Sequence, residues 1–206
     1  MQPFAVVFDI GNVLIEWQPE RFYDSVIGSE RRRAMFDKVD LHAMNDRVDR
    51  GGNFREIVYA TADATPAWRD EIRMWHDRWI EMACPVIDHS VRLLRALRAN
   101  EIQVFALSNF GVDSFAYAET KYPFLAEFDQ RFISGHMKTA KPDTLIYEMV
   151  EEQSGLSGGQ LFFVDDRADN IEAAEGFGWQ THLFETSEDW ADCLVEQGLL
   201  TEEEAA

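Results

Sequence analysis

The 206-residue chain has few cysteines, few lysines and no long apolar segment, and each shortage excludes a class of protein. Its two cysteines, Cys84 and Cys193, lie in unlike surroundings without paired spacing, which excludes a disulfide framework and a cysteine-based zinc site. Its apolar runs are strand-sized, and its first residues lack the basic segment of a signal peptide. We therefore expect a cytoplasmic protein that does not cross a membrane.

Basic side chains are scarce as well. The chain has 19 Lys and Arg against 38 Asp and Glu, a formal net charge of −19 at pH 7, and its four lysines form no cluster. Such a charge repels phosphodiester backbones and anionic membrane surfaces. We therefore expect no nucleic-acid or membrane partner, and the choice between monomer and dimer stays open.

Apolar residues are plentiful, at 46% of the chain, and they occur in short runs that alternate with segments of helical period. The runs predict strands at residues 4–8, 102–107, 128–134, 161–164 and 179–184, and the periodic segments predict helices at 86–98, 113–125, 145–150, 168–177 and 188–197. Strands that alternate with helices indicate an α/β fold, in which a Rossmann-like parallel sheet carries helices on both faces.

One region, residues 19–84, breaks this alternation. It has no strand-like run, and its apolar residues recur at helical spacing, as at Ile72 and Trp75. We interpret it as a helical cap inserted directly after the first strand. The predicted organisation is therefore a core domain formed by residues 1–18 and 85–206, with a cap domain formed by residues 19–84.

Polar residues that follow the apolar runs are the candidates for chemistry, because ligands in open α/β sheets bind beyond the carboxyl ends of the strands. The candidate segments, in chain order, are Asp9-Ile10-Gly11-Asn12, Ser108-Asn109, Lys141-Pro142, and Asp165-Asp166 through Asn170. A carboxylate comes first, a hydroxyl and an amide second, a lysine third and a pair of carboxylates fourth. The four segments should meet at one edge of the sheet.

This set of segments resembles the four motifs of the haloacid dehalogenase-like (HAD) hydrolase superfamily, in the same order. The resemblance covers nearly the whole chain, including the helical insertion. More narrowly, the chain is similar to the bacterial sugar-phosphate phosphatases of this superfamily and to the phosphatase domain of soluble epoxide hydrolase. It implies Mg²⁺-dependent hydrolysis of a small phosphate monoester, with sugar phosphates as one candidate class, and hence a small phosphorylated metabolite as partner.

Three of these residues are the candidate catalytic groups: Asp9, Ser108 and Lys141. The Asp9 carboxylate can attack phosphorus and form an aspartyl-phosphate. Ser108, Asn109 and Lys141 are the candidate substrate-binding residues, because their side chains can bond the phosphoryl oxygens. A cation such as Lys141 is needed, since two like charges at about 4 Å repel by roughly 4 kcal/mol at an effective dielectric near 20.

The carboxylates also predict a metal site. Asp165 and Asp166 should converge on Asp9, and three carboxylates around one point favour a hard cation such as Mg²⁺. By resemblance, Asp9 and Asp166 ligate the ion through their side chains and Gly11 through its backbone carbonyl. Asp165 and Asn170 hold waters or orient the ligands.

Gly11 is a departure from the family pattern. Most phosphatases of this superfamily carry a second aspartate at this position, two residues after the nucleophile, where it protonates the leaving group and later activates water. General acid–base assistance contributes about 10²- to 10⁴-fold in rate. Asp165, His136, a cap residue or the substrate itself are the open candidates for this role.

Polar and aromatic cap residues could contact the leaving group; these are Asn45, Arg47, Arg50, Trp75, His76 and Trp79. The spacing of Trp75 and Trp79 is more typical of helix packing, and the arginines are more typical of a solvated face. Glu16 and Trp17 could form a hinge or flap. The five histidines lack metal-ligand spacing, and we interpret them as surface or packing residues.

Two other functions fit parts of the pattern. A 2-haloacid dehalogenase would use the same aspartate without a metal, and the pair Asp165-Asp166 argues against it. A catalytically weak phosphosugar-binding protein would account for Gly11.

Overall fold

The computed structural model describes residues 3–206, and a five-stranded parallel sheet lies at its centre. The strands of the molecule are β1 (Ala5–Phe8), β2 (Ile15–Trp17), β3 (Ala83–Val86), β4 (Gln103–Ser108), β5 (Gln130–Ile133), β6 (Leu161–Asp165) and β7 (Gln180–Leu183). The sheet has the order β5-β4-β1-β6-β7, and all its pairs are parallel. The five predicted strands are confirmed, with ends that differ by a few residues.

Helices cover both faces of the sheet, as predicted. The α-helices within residues 3–206 are α1 (Pro19–Ile27), α2 (Ser29–Phe36), α3 (Leu41–Asp49), α4 (Phe54–Ala64), α5 (Arg69–Asp77), α6 (Asp88–Ala99), α7 (Val112–Lys121), α8 (Ser134–Met137), α9 (Thr144–Ser154), α10 (Ala168–Gly176) and α11 (Ser187–Glu196). Within residues 3–206, none of these helices has the length and apolar character that crossing a bilayer requires.

The central strand β1 is buried on both sides, because successive side chains point to opposite faces of a strand. Phe8 faces one helical layer and meets Trp190 of α11 edge-on, with ring centroids 6.0 Å apart. Val7 belongs to the apolar cluster on the other face, together with Tyr147 of α9. The uninterrupted apolar run is thus explained by burial on two faces.

The strands β2 and β3 form a separate antiparallel ribbon that the sequence did not predict. The expectation of no strand within residues 19–84 is wrong at the end of that region, since β3 begins at Ala83. Helices α1 to α5 lie between these two strands, and we call residues 19–82 the insertion. The division into a core domain and a cap domain stays a prediction.

Side-chain caps help to define two insertion helices. Asp40 precedes α3 and accepts a hydrogen bond from the backbone N–H of Ala43 at 2.8 Å. Asn53 precedes α4 and accepts one from the backbone N–H of Glu56 at 2.9 Å. Each cap satisfies a backbone donor that the first helical turn leaves free.

The C-terminal end of α3 docks directly on the core. The Ser134 hydroxyl, at the start of α8, donates to the backbone carbonyl of Asp49 at 2.6 Å. Gly51 has φ of +89°, and a Cβ there would lie 2.5 Å from the Gly135 carbonyl oxygen. Glycine is therefore required on steric grounds, and the insertion is held close to the sheet edge.

Candidate active site

The ends of three neighbouring strands bring the first candidate residues together. Asp9 directly follows β1, Ser108 ends β4 and Asp165 ends β6. The register pairs Phe8 with Ala106 on one side and with Val164 on the other, so the three strands end at the same level. The structure thus places these side chains at the carboxyl edge of the sheet, where ligands bind in open α/β folds.

Lys141 is a buried cation between two of these carboxylates. Its Nζ lies 3.0 Å from Oδ1 of Asp9 and 2.5 Å from Oδ2 of Asp165. Burial acts to lower the pKa of Lys141, but the charges of Asp165 and Asp9 outweigh burial, and the pKa of the ammonium group is raised overall. Lys141 therefore stays protonated and holds the two carboxylates in place.

Asn109 fixes the backbone of Lys141. Its Oδ1 accepts from the Lys141 N–H at 2.8 Å, and its Nδ2 donates to the Lys141 carbonyl at 2.9 Å. Both polar atoms of the Asn109 amide thus bond the backbone of Lys141. These two bonds position the lysine. Asn109 also lines the cavity described below, and its contact with substrate stays a prediction.

Asp165 is the most enclosed carboxylate of the site. Besides Lys141, it accepts bonds from Nδ2 of Asn170, at 2.9 and 3.0 Å, and from the backbone N–H of Arg167 at 2.8 Å. Burial raises the pKa of Asp165 to about 6, against the opposing charge of Lys141. With these partners, Asp165 links the lysine to the start of α10.

Asp166 is held by a residue to which the sequence analysis gave no role. Nδ2 of Asn12 donates to Oδ2 of Asp166 at 2.9 Å, and Oδ1 of Asn12 accepts from the Trp17 backbone N–H at 2.9 Å. Burial raises the pKa of Asp166, and the bond from Asn12 opposes the rise. Asn12 has φ of +56°, which asparagine tolerates better than most residues. Its place directly after Gly11 in the first motif was the available signal.

The carboxylates form a cluster that fits a divalent cation. One oxygen each from Asp9, Asp165 and Asp166 lies within 4.8 Å of the other two. Such an all-oxygen donor set suits a hard ion like Mg²⁺. Both oxygens of Asp165 already accept hydrogen bonds, from Lys141, Asn170 and the Arg167 N–H, whereas Lys141 and the Ile10 N–H both meet the same oxygen of Asp9. Asp9 and Asp166 are thus the more available ligands.

Ser108 and Gly11 complete the floor of the site. The Ser108 side chain is buried, and within residues 3–206 its hydroxyl has no hydrogen-bond partner, so it is available to a ligand. A Cβ on Gly11 would meet no atom within 4 Å. There is consequently open space where the family pattern has a second aspartate.

A cavity of about 380 Å³ opens above these residues, and the insertion forms its opposite wall. This volume lies in the range of small-molecule sites, about 300–1,000 Å³. Residues from β2 and the insertion that line it are Ile15, Glu16, Trp17, Pro19, Glu20, His42, Asn45, Asp46, Asp49 and Trp79. Glu16 and Trp17, the suggested flap residues, thus lie in the wall between sheet and insertion.

The other suggested cap residues do not line the cavity. Trp75 is fully buried in the insertion, where its indole N–H donates to Asn45 at 3.0 Å. Arg47, Arg50 and His76 bond to polar partners elsewhere; these are Thr61 for Arg47, Asp46 and Asp143 for Arg50, and Asp77 for His76.

Asp49, the last residue of α3, lines the cavity and was not singled out from the sequence. Its Oδ2 accepts from Nδ2 of Asn45 at 2.7 Å. Burial, and next the charge of Asp46, raise the pKa of Asp49 to about 7. No motif marks this residue, because its surroundings come from the packing of the insertion on the core.

Comparison with known proteins gives the family. A model of the haloacid dehalogenase-like hydrolases matches residues 5–178, and the chain therefore belongs to this family of hydrolases. The resemblance inferred from the four motifs is thus confirmed.

Individual relatives agree with this assignment. The chain is 26% identical over 186 residues to the sesquiterpene phosphatase astK of Aspergillus oryzae, covering 84% of this chain and 86% of that one. A HAD family enzyme of Bacteroides thetaiotaomicron, in complex with magnesium and inorganic phosphate, superposes with a TM-score of 0.70 at 20% identity, over 92% of this chain and 98% of that one.

L-2-haloacid dehalogenase of Xanthobacter autotrophicus shares the fold as well. It superposes with a TM-score of 0.61 at 18% identity, over 87% of this chain and 76% of that one. At these identities, the structural similarities establish the fold and leave the reaction to be argued from the site.

Proposed function

We propose that this hydrolase is a Mg²⁺-dependent phosphatase that hydrolyses a small phosphate monoester through an aspartyl-phosphate on Asp9. The observation that carries the proposal is the buried Asp9–Lys141–Asp165 arrangement beside the Asp166 carboxylate. A nucleophilic carboxylate, a fixed cation and a metal-binding pair are the groups that displacement at phosphorus requires.

Asp9 is the proposed nucleophile. Its Oδ1 is held by the backbone N–H of Ile10 at 2.7 Å and by Lys141 at 3.0 Å, which fixes the orientation of the carboxylate. Fixed orientation lowers the entropic part of the barrier to attack. Lys141 reduces the repulsion between Asp9 and an anionic phosphoryl group, and the free Ser108 hydroxyl donates to a phosphoryl oxygen.

The proposed metal ligands are the side chains of Asp9 and Asp166 and the carbonyl of Gly11, with Asp165 and Asn170 as supporting residues. When bound, Mg²⁺ neutralises the charge that develops on the phosphoryl oxygens. Asn12 orients Asp166 for this role.

The substrate is a small phosphorylated metabolite whose leaving group contacts the insertion, which acts as a cap. The wall combines aromatic rings, Trp17 and Trp79, with polar groups such as Asn45 and His42. This mixture accommodates either a sugar or an isoprenoid chain, and the similarity to a sesquiterpene phosphatase adds the second class to the candidates.

A substrate screen tests the proposal. Purified protein is assayed with sugar phosphates, isoprenyl phosphates and aryl phosphates, with Mg²⁺ and with chelator, and Asp9→Asn serves as the inactive control. We expect phosphate release that requires both Mg²⁺ and Asp9. Halide release from 2-haloacids in the presence of chelator would instead establish the dehalogenase, and tight binding of sugar phosphates without turnover would establish a binding protein.

A further inference from the structure

The proposed reaction, on which this inference rests, needs a proton for the departing oxygen of the substrate. At Gly11 the chain offers no side chain, and the space around the missing Cβ is open. Proton transfer by a positioned side chain contributes about 10²- to 10⁴-fold in rate. For substrates with basic leaving groups, an acid elsewhere in the cavity wall would supply this contribution.

Three acidic residues on the insertion side already have a basic side chain as partner. Glu16 pairs with Arg21 at 2.6 Å, Asp46 pairs with Arg50 at 3.0 Å, and Glu20 lies 3.4 Å from His42. These carboxylates are at least partly exposed to solvent and already engaged by a neighbouring side chain.

Two other candidates for the general acid, Asp165 and His136, lie outside the insertion. Asp165 is bound to Lys141 in the core. His136 is exposed, packs edge-on near Phe115 and does not line the cavity.

Asp49 differs from these groups. Within residues 3–206, no ion pair joins it to a cation, and it lies at the C-terminal end of α3, where the helix dipole disfavours a negative charge. Burial raises the pKa of Asp49 to about 7, Asp46 and Asp9 add to the rise, and the Gly111 N–H and Asn45 oppose it. A carboxyl group of this kind is protonated in a substantial fraction of molecules near neutrality, as a general acid must be.

The position of Asp49 is fixed from two sides. On the insertion side, Asn45 donates to its carboxylate and in turn accepts from the Trp75 indole. On the core side, Ser134 holds its backbone carbonyl at 2.6 Å. The carboxyl group is thus presented to the cavity above Asp9 by a rigid support, which an acid catalyst requires.

We propose that Asp49 is the general acid and base that replaces the aspartate absent at Gly11. As the Asp9 carboxylate forms its bond to phosphorus, the bond from phosphorus to the leaving oxygen breaks, and Asp49 gives its proton to that oxygen. In the second step the Asp49 carboxylate accepts a proton from the water that attacks phosphorus. The bond between phosphorus and the Asp9 oxygen breaks, inorganic phosphate leaves, and Asp49 is protonated again.

A series of phosphate monoesters with leaving groups of different basicity tests this role. Asp49→Asn keeps the shape of the side chain and an oxygen for Asn45, but it has no acidic proton. We expect a loss of about 10²- to 10⁴-fold in kcat for alkyl phosphates and of less than about tenfold for aryl phosphates with acidic leaving groups. Retained aryl phosphate turnover shows that the fold and the proposed function are intact.

Two further variants separate catalysis from a structural effect. Glu56→Gln removes an exposed carboxylate of the insertion that does not line the cavity, and it should keep the wild-type dependence on leaving-group pKa. Gly11→Asp, introduced into Asp49→Asn, should restore alkyl phosphate turnover, since the Cβ fits and φ at this position is not left-handed.

Asn45→Ala covers the case in which Asp49→Asn does not fold. It frees Asp49 from its support and should give a dependence on leaving-group pKa between wild type and Asp49→Asn. The proposal would be overturned if Asp49→Asn lost equal factors of kcat for alkyl and aryl phosphates. If Asp49→Asn does not fold, it would be overturned by an unchanged dependence on leaving-group pKa in Asn45→Ala.

Discussion

The adjacent carboxylates Asp165 and Asp166 have different contacts in the site. Asp165 accepts hydrogen bonds from Lys141 and Asn170, whereas Asp166 is oriented by one hydrogen bond from Asn12. These adjacent carboxylates therefore have different contacts: the first bonds the lysine, and the second is the one that we propose as a ligand of the cation. Sequence alone predicted the pair, since both follow an apolar strand, but the division between them depends on contacts across the site.

Replacing Asp166 tests the metal assignment. Asp166→Asn removes one of two proposed side-chain ligands, so we expect weaker Mg²⁺ binding, lower activity and partial recovery at high Mg²⁺ concentration. Titration calorimetry with Mg²⁺ alone and activity against Mg²⁺ concentration measure these effects. Asp192→Asn, which removes an exposed carboxylate on α11, is the control. Unchanged Mg²⁺ affinity in Asp166→Asn, or wild-type activity in the presence of chelator, would contradict the assignment.

Asp49 illustrates the limit of sequence reasoning at the scale of residues. Asp9, Lys141 and the carboxylate pair are recognisable because each lies next to a strand end or in a motif. Asp49 lies in an ordinary acidic helix, and only the packing of α3 on the core partly encloses it beside the cavity.

Among the structural elements, the central strands β1, β4 and β6 were predictable because each is a short apolar run buried on both faces. The edge strands β5 and β7 are only partly buried, and each was predicted from a short apolar run that overlaps it. The antiparallel ribbon of β2 and β3 was not predictable from the sequence. Its first strand has three residues, and its partner lies beyond the whole insertion, so pairing depends on a contact that no local pattern reveals.

The contact between α3 and the core can be tested with two glycines of the insertion. Gly51 and Gly28 both have positive φ, +89° and +82°, but only at Gly51 would a Cβ meet another backbone, 2.5 Å from the Gly135 carbonyl oxygen. Alanine at either position costs about 1–3 kcal/mol of backbone strain. Gly51→Ala should lose further stability and most phosphatase activity, because the clash moves the end of α3 from the sheet edge.

Thermal or chemical unfolding and steady-state kinetics on both variants measure the difference. Gly28→Ala is the matched control for strain without a clash, and it should stay active. Equal stability and equal activity of the two variants would show that the close approach at Gly51 does not position α3.

For the molecule as a whole, the formal charge of −19 opposes the approach of an anionic substrate. Raising the ionic strength from about 0.01 M to about 0.15 M shortens the Debye length from about 30 Å to about 8 Å. At saturating Mg²⁺ we therefore expect kcat/KM for a phosphate monoester to rise by about two- to tenfold. A fall in kcat/KM over this range, with the fold unchanged by circular dichroism, would show that local cations dominate the encounter.

Phosphorylation of Asp9 is the central claim of the proposed function, and one measurement tests it directly. The protein is mixed with Mg²⁺ and a phosphate monoester that the screen identifies as a substrate, quenched with acid during turnover, and mapped by proteolysis and mass spectrometry. We expect a phosphoryl group on Asp9 and none on Asp9→Asn, which should also lack turnover. A phosphoryl group on another residue, or turnover by Asp9→Asn at the wild-type rate, would contradict it.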